Sequence, residues 1–120
     1  MADATAFPAE PEALSWAHVP PRRPHPGIET RRVDGQGMTL VEYRFDPAAR
    51  FPVHHHPEEQ VSVVTGGSVV FHVDGREVEL QAGQMVRVAP HVPHGATAGP
   101  AGATMLNVLA PRRRGDVVYD

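Results

Sequence analysis

The sequence predicts an all-β protein with a single domain, and three observations carry that prediction. Seven short segments, rich in valine or alternating apolar and polar residues, lie between residues 28 and 110. Glycine, proline and aspartate separate these segments, and no window of eleven or more residues holds a helical apolar stripe. A length of 120 residues suits one domain with a core and is too short for two. Many short strands in one small domain form a sandwich, a barrel or a jelly roll.

The N-terminal segment is predicted to be an arm that lies outside the barrel. Residues 8–24 contain five of the 13 prolines and Pro26 follows, which breaks helices and leaves few backbone donors for strands. We therefore divide the chain into an arm over 1–26 and a barrel with a short C-terminal tail over 27–120. The opening "MADATAFPAEPEAL" lacks the basic and apolar regions of a signal peptide, so we expect a cytoplasmic protein.

The predicted strands follow one another at short intervals from Gly27 onward. In "VDGR", Asp74-Gly75 tolerates the positive φ angles of a type I′ turn and predicts a hairpin. The seven segments, in chain order, are "IETRRV", "MTLVEYRF", "QVSVVT", "SVVFHV", "EVEL", "MVRVAP" and "ATMLNVLA".

Composition limits the chemistry that the chain can perform. A net charge of −3 gives no electrostatic reason to expect nucleic acid or an acidic membrane surface as a partner. The absence of cysteine excludes disulfides, thiol nucleophiles and thiolate metal ligands. All 11 basic residues are arginine, so no lysine can form a Schiff base. Histidines, carboxylates, hydroxyls or a bound metal must supply any chemistry.

The stretch "FPVHHHPEEQVSVV" holds the candidate metal ligands. If it is extended, His54 and His56 project to one side and His55 to the other. Two imidazoles with this spacing can converge on one ion, at about 2.1 Å each. The later stretch "PHVPHGA" offers a third candidate in His94, with His91 three residues earlier.

The spacing of these residues resembles the two-part motif of the cupin superfamily, G-x5-H-x-H-x3-4-E-x6-G followed by G-x5-P-x-G-x2-H-x3-N. Here His54, His56, Gln60 and Gly67 match the first part, and Gly83 to His94 the second. The resemblance implies a double-stranded β-helix, which is a jelly-roll barrel. It also implies one divalent metal ion (Zn, Ni, Fe or Mn) bound by His54, His56, Gln60 and His94.

The chain departs from the family motif at several positions. Ala48 and His91 stand where the family carries glycine, and Gln60 stands where most members carry a glutamate ligand. Proline and asparagine of the second part are replaced by Ala89 and Ala98.

The fourth ligand stays open between Gln60 and its neighbours. Small cupins of pectin degradation use three histidines and a glutamine, which favours Gln60. Glu58 and Glu59 are rival ligands, because carboxylates bind divalent ions better than amides do. With Gln60, all four ligands are neutral, and the ion keeps its full charge as a Lewis acid. Such an ion suits a substrate that binds through a carboxylate, enolate or 1,3-dicarbonyl oxygen.

The C-terminal stretch "LNVLAPRRR" resembles the L-D-x-F-x-P-P-R segment of the pectin-degradation cupins. Asn107 stands in the place of the aspartate and Arg113 can take the place of the arginine, as a carboxylate clamp. An amide cannot shuttle protons as a carboxylate does. Glu42 is therefore a further candidate base. It lies with Tyr43 and Arg44 on a strand that lines or flanks the barrel, and the sequence leaves open which side of this strand faces in.

Three functions are compatible with this pattern. The first is a metal-dependent isomerase, lyase or cyclase that moves protons beside an enolate, similar to the pectin-degradation and polyketide-pathway cupins and acting on an anionic small molecule. The second is an iron-dependent dioxygenase with the same ligands. The third is a non-catalytic cupin that binds a metal or a small ligand.

We also expect a homodimer. Small cupins usually dimerise, and Val70 points out of the barrel while Val69, Phe71 and Val73 fill it. A partner would cover this apolar strand face, and the arm could cross the seam. His55 and His72 are expected at the surface or in this interface.

Overall fold

Nine β-strands and one short helix make up the computed structural model, which describes residues 9–119. The 3₁₀ helix is Trp16–His18, and the strands are β1 (Arg22–His25), β2 (Ile28–Asp34), β3 (Thr39–Phe45), β4 (Arg50–His55), β5 (Glu59–Val73), β6 (Arg76–Gln81), β7 (Met85–Val88), β8 (His94–Ala110) and β9 (Val118–Tyr119). Within this part of the chain, no helix is long and apolar enough to cross a membrane.

The strands form one curled sheet in which every pairing is antiparallel. Its main path runs β1-β2-β3-β8-β4-β9, and β5 pairs with β6, β7 and β8. The long strands β5 and β8 run beside each other from the pair Glu59–Ala110 to the pair Val73–His94. This arrangement confirms the predicted jelly-roll barrel.

Two of the predicted strands are halves of one bent strand. β5 joins the segments 60–65 and 68–73, and its register against β8 shifts on both sides of Gly66-Gly67. Gly67 has a φ of +66°, and a Cβ there would collide with the carbonyl oxygen of Gly102, so the bend needs glycine. β8 begins at His94, well before the predicted start at Ala103.

The inner faces of the strands build the core. On β3, Val41, Tyr43 and Phe45 are buried. This side of the strand therefore faces the interior of the barrel, which the sequence had left undecided. Glu42 points to the outer face, where its carboxylate lies 3.3 Å from the Arg44 guanidinium. The expectation that Glu42 supplies a base in the pocket is therefore corrected, because alternation along β3 turns it away from the barrel.

Two departures from the glycines of the motif fall at positive φ. Ala48 has a φ of 60° and His91 a φ of 67°, a region that glycine enters without steric cost and other residues enter at a cost of about 1–2 kcal/mol. The backbone therefore keeps the conformation that glycine would favour at both positions, although neither residue is glycine.

The described part of the N-terminal arm packs on the outer face of β2 and β3. Leu14 and Trp16 border a shallow cavity together with Val33 and Leu40, and the Arg31 side chain donates to the Val19 carbonyl oxygen at 3.2 Å. Within the predicted arm, β1 pairs with β2, and within the predicted tail, β9 pairs with β4. Within this chain, residues 14–25 therefore contact β2 and β3, while residues 1–8 lie outside the described residues and the crossing of a dimer seam stays a prediction.

Candidate metal centre

Three buried histidines meet at one end of the barrel. His54 on β4 and His94 at the start of β8 are paired across the sheet, and their ring centroids lie 4.3 Å apart. His56 follows two residues after His54, and its ring centroid lies 4.8 Å from that of His94. The candidate ligand atoms of the three rings all lie within 4.8 Å of one another. His55 is half-buried, in keeping with the predicted alternation of the strand.

The backbone fixes the orientation of all three rings. Each Nδ1 lies within hydrogen-bond distance of a carbonyl oxygen two residues away: His54 to Pro52 at 2.8 Å, His56 to Glu58 at 3.1 Å and His94 to Val92 at 2.8 Å. A carbonyl oxygen only accepts, so Nδ1 carries the proton of each neutral ring. The Nε2 lone pairs are then left to bind a metal, and the backbone holds them in place.

Gln60 completes the cluster from β5. Its Oε1 lies 3.0 Å from His56 Nε2 and 3.2 Å from His94 Nε2. Its amide nitrogen donates to the Ser62 hydroxyl at 2.8 Å, which directs Oε1 towards the rings. His54, His56, Gln60 and Ser62 are all buried, so the alternation expected for His54 and His56 extends to Gln60 and Ser62.

The contacts of His56 and His94 would need more ring protons than the two neutral imidazoles carry. This shortage indicates a cation site. His56 and His94 each face two acceptors, a backbone carbonyl and Gln60 Oε1, while a neutral imidazole carries one proton. The Nε2 and Oε1 lone pairs therefore point at one another without a hydrogen atom between them. A divalent cation placed among them would turn this repulsion into coordination, so the residues present fit a metal of the kind that imidazole and amide oxygen bind.

Burial favours the neutral form of His54 and His56. His54 is 8% exposed, and burial lowers its pKa to about 3, with unfavourable interactions of the charged ring with His94, His56 and Arg113 adding to the effect. Burial also lowers the pKa of His56. Neutral imidazoles at physiological pH need lose no proton to bind a metal.

The two glutamates that rival Gln60 occupy different positions. Glu59 is exposed on the other side of β5. Glu58 is buried, but its carboxylate lies 3.7 Å from His56 Nδ1, which is the ring nitrogen opposite the one that faces Gln60. Neither carboxylate belongs to the cluster of candidate ligand atoms.

A small interior cavity adjoins the histidines. It measures about 20 Å³ and is bordered by His54, Gln60, His94, Asn107 and Tyr43 together with apolar side chains. A volume of this size holds about one water molecule or ion. The Oδ1 atom of Asn107 is buried without a hydrogen-bond partner among the described residues.

A larger cleft of about 550 Å³ opens beside this cavity, and Tyr43 and Phe51 line both. Four arginines and one aspartate line the cleft, so its formal charge is +3 in a chain of net −3. The lining charges are Arg22, Arg23, Arg32, Arg113 and Asp116. A cleft of this volume suits a small molecule, and its charge favours an anion.

The arginines of the cleft differ in their partners. Arg23 pairs with Glu29 at 3.2 Å and Arg32 with Asp34 at 3.0 Å. Arg113 donates from Nε to the Gly115 carbonyl oxygen. Its positive field reaches the histidines and helps to lower the pKa values of His54 and His56.

Three more residues lie at the site, and of these the sequence indicated only Tyr43, without the direction of its side chain. The Tyr43 hydroxyl is buried next to Asn107, and burial raises its pKa. Tyr119 on β9 lies with its ring centroid 6.0 Å from that of His54, and its hydroxyl lies 2.9 Å from His25 Nε2. The Phe51 ring is tilted by 51° to the His54 ring, and their centroids lie 4.7 Å apart. Of these three, only Tyr43 had a local signal, as an aromatic residue in phase with Val41 and Phe45.

Comparisons with known proteins identify relatives of the chain. Residues 41–109 match the family model of the cupin domain. An RmlC-like cupin from Shewanella frigidimarina is 30% identical, with a TM-score of 0.77 over 87% of this chain and 95% of that chain. KdgF from a Halomonas species is 22% identical, with a TM-score of 0.79 over 87% and 96% of the two chains. No curated protein sequence matches.

A more distant similarity concerns the fold alone. A mutant of Bacillus subtilis oxalate decarboxylase is 19% identical, with a TM-score of 0.82. It aligns with 98% of this chain, which corresponds to 34% of the decarboxylase.

Proposed function

This chain belongs to the cupin family, and on that premise we propose that it is a metal-dependent enzyme of the isomerase, lyase or cyclase type. Its substrate is a small anion that carries a carboxylate or a dicarbonyl group. The observation that carries the proposal is the position of the cluster of neutral donor atoms, next to a cleft whose lining is positively charged. In this proposal His54, His56, Gln60 and His94 hold one divalent ion.

The donor set favours Lewis-acid chemistry. When bound, a divalent ion with four neutral ligands keeps its full charge and stabilises negative charge that develops on a substrate oxygen. The neutral state of the donors rests on the burial of the rings and on the amide of Gln60.

The residues of the cleft would bind and orient the substrate. The Arg113 guanidinium can pair with a substrate carboxylate in the fork geometry that arginine favours. The other arginines of the cleft add long-range attraction for an anion. Phe51 lines both the cavity and the cleft and can shield the contacting His54 ring from water.

Tyr43 is the proposed proton donor. The residue is buried and lines both the cavity and the cleft, and burial raises the pKa of its hydroxyl, which stays protonated at neutral pH. Asn107 lies beside it and can bind a substrate hydroxyl or amide, but its amide does not transfer protons. In this proposal Tyr43, and not Glu42, transfers the proton.

One observation favours a second candidate, a non-catalytic cupin that binds a metal or a ligand. Among the described residues, no aspartate or glutamate borders the interior cavity. A protein that lacks a carboxylate base at this position can bind an anion at the ion without converting it.

Metal analysis and a substrate screen test the proposal together. The purified protein should contain about one divalent ion per chain by elemental analysis, and a His56→Ala, His94→Ala double variant should contain none. His72→Ala is the matched control, because His72 contacts Thr97 outside the site. Full metal content in the double variant would refute the ligand set.

The screen covers unsaturated uronates and β-dicarbonyl acids. Turnover that requires the metal and falls at least 10-fold in Tyr43→Phe would support the enzyme with this proton donor, because a positioned acid contributes about 10²-fold or more. Saturable binding of these compounds without turnover would favour the second candidate. A homodimer and a cytoplasmic location stay predictions of the sequence.

A further inference from the structure

Glu58 is a buried acid that the proposed chemistry does not use. The residue is 4% exposed, and its Oε1 atom has no hydrogen-bond partner among the described residues. Burying a carboxylate oxygen that accepts no hydrogen bond is costly in a folded protein. A positive charge that forms nearby would offset this cost.

The position of this carboxylate relates it to the candidate metal centre. Oε1 lies 3.7 Å from His56 Nδ1, and the backbone carbonyl oxygen of Glu58 lies 3.1 Å from the same nitrogen. Both oxygen atoms therefore lie on the far side of the ring from Gln60. The Nδ1 proton of His56 has a carbonyl acceptor and, slightly farther away, a carboxylate.

The candidate metal ligands carry no negative charge. The three imidazoles and the Gln60 amide are neutral donors, so a bound divalent ion meets no negative charge among them. A carboxylate behind a ligating histidine polarises the ring, makes its other nitrogen a stronger donor and holds its orientation. Glu58 is placed to do this through His56.

We propose that Glu58 is the counter-charge of the metal centre and a positioning residue that acts through His56. It strengthens metal binding without touching the ion, and metal binding in turn provides the positive charge that the buried carboxylate lacks. This inference rests on the metal site of the proposed function, since it assigns a role within that site.

The proposal predicts opposite changes in two measurable properties. Glu58→Gln keeps the shape of the side chain and removes its charge. The dissociation constant for Zn²⁺ should rise about 10-fold, because the negative charge behind the ring is lost while the backbone carbonyl that orients the ring remains. The melting temperature of the metal-free protein should stay the same or rise, because an unpartnered buried charge is removed. A purely structural role would lower both metal affinity and the stability of the metal-free protein.

The experiment titrates Zn²⁺ into metal-free protein in competition with a chelator and records thermal unfolding with and without the ion. Glu59→Gln is the matched control, since Glu59 is the exposed neighbour, and its dissociation constant should stay within about 2-fold of the wild type. An unchanged dissociation constant in Glu58→Gln would overturn the role of Glu58 and leave the metal site standing. A lower melting temperature in the metal-free variant would overturn it in favour of packing. A wild-type protein that binds no Zn²⁺ would overturn both proposals.

Discussion

Acid should destabilise the metal-free protein through His54, and a His54→Gln variant should lose much of this sensitivity. The ring has a pKa of about 3 in the folded protein against an ordinary value of 6.5. Between these values the unfolded chain binds a proton at this position and the folded chain does not. The free energy of unfolding therefore falls as the pH falls through this window, and the contribution is fully present above about pH 6.5.

The size of the effect follows from the two pKa values. At about pH 4.5 the unfolded ring lies two pH units below its pKa, while the folded ring is still neutral. At about 1.4 kcal/mol per unit, protonation of the unfolded state lowers the free energy of unfolding by about 3 kcal/mol. Raising the pH through the same range should restore the lost free energy of unfolding.

Urea unfolding of chelator-treated wild type and His54→Gln at about pH 7.5 and about pH 4.5 measures this contribution. The drop in unfolding free energy between the two conditions should be about 3 kcal/mol larger in the wild type than in the variant, with other titrating groups common to both. A difference below about 0.5 kcal/mol would refute the reasoning, because His54 would then take up protons in the folded state.

Three further predictions address the fourth ligand, the cleft and the assembly. Gln60→Glu should bind Zn²⁺ or Ni²⁺ more tightly by isothermal titration and turn over an anionic substrate more slowly, because the carboxylate attracts the cation and lowers its pull on substrate oxygens; equal affinity and activity would remove Gln60 from the ligands. Arg113→Gln should raise KM for a carboxylate substrate about 10-fold or more. Arg76→Gln is the control, because Arg76 lies outside the cleft, and an unchanged KM in Arg113→Gln would contradict the pairing of Arg113 with a substrate carboxylate. Light scattering should show a dimer at micromolar concentration that Val70→Arg dissociates, whereas a monomeric wild type would count against the predicted homodimer.

Local patterns in the sequence predicted most of the strands, but not how far they extend. The segments around Val64 and Val69 look like two strands because Gly66-Gly67 interrupts the apolar run, and the structure joins them through a bend. β8 begins nine residues before the predicted strand, since "HGATAGPAG" contains little apart from small residues and proline. A strand is recognised in a sequence when large apolar side chains alternate with polar ones. This segment has too few large side chains for such an alternation to be visible.

The cluster of candidate metal ligands was more predictable than its surroundings. His54, His56 and Gln60 lie close together in sequence, so strand alternation alone places them on one side. The choice between Glu42 and Tyr43 required the direction of β3, which the apolar Leu40 on the outer face obscured. Arg22 and Tyr119 reach the cleft through strand pairing between distant parts of the chain, and no local signal reports such pairing.

The cleft is framed by the two outermost strands of the main sheet path, β1 and β9, and these come from opposite ends of the described chain. They contribute no residue to the apolar core, and the contact between His25 and Tyr119 links them across the opening. The lining of the cleft can therefore be altered in these two terminal segments while the apolar core and the three histidines keep their sequence. We expect a library confined to the two edge strands to change the shape and charge of the cleft with little effect on folding.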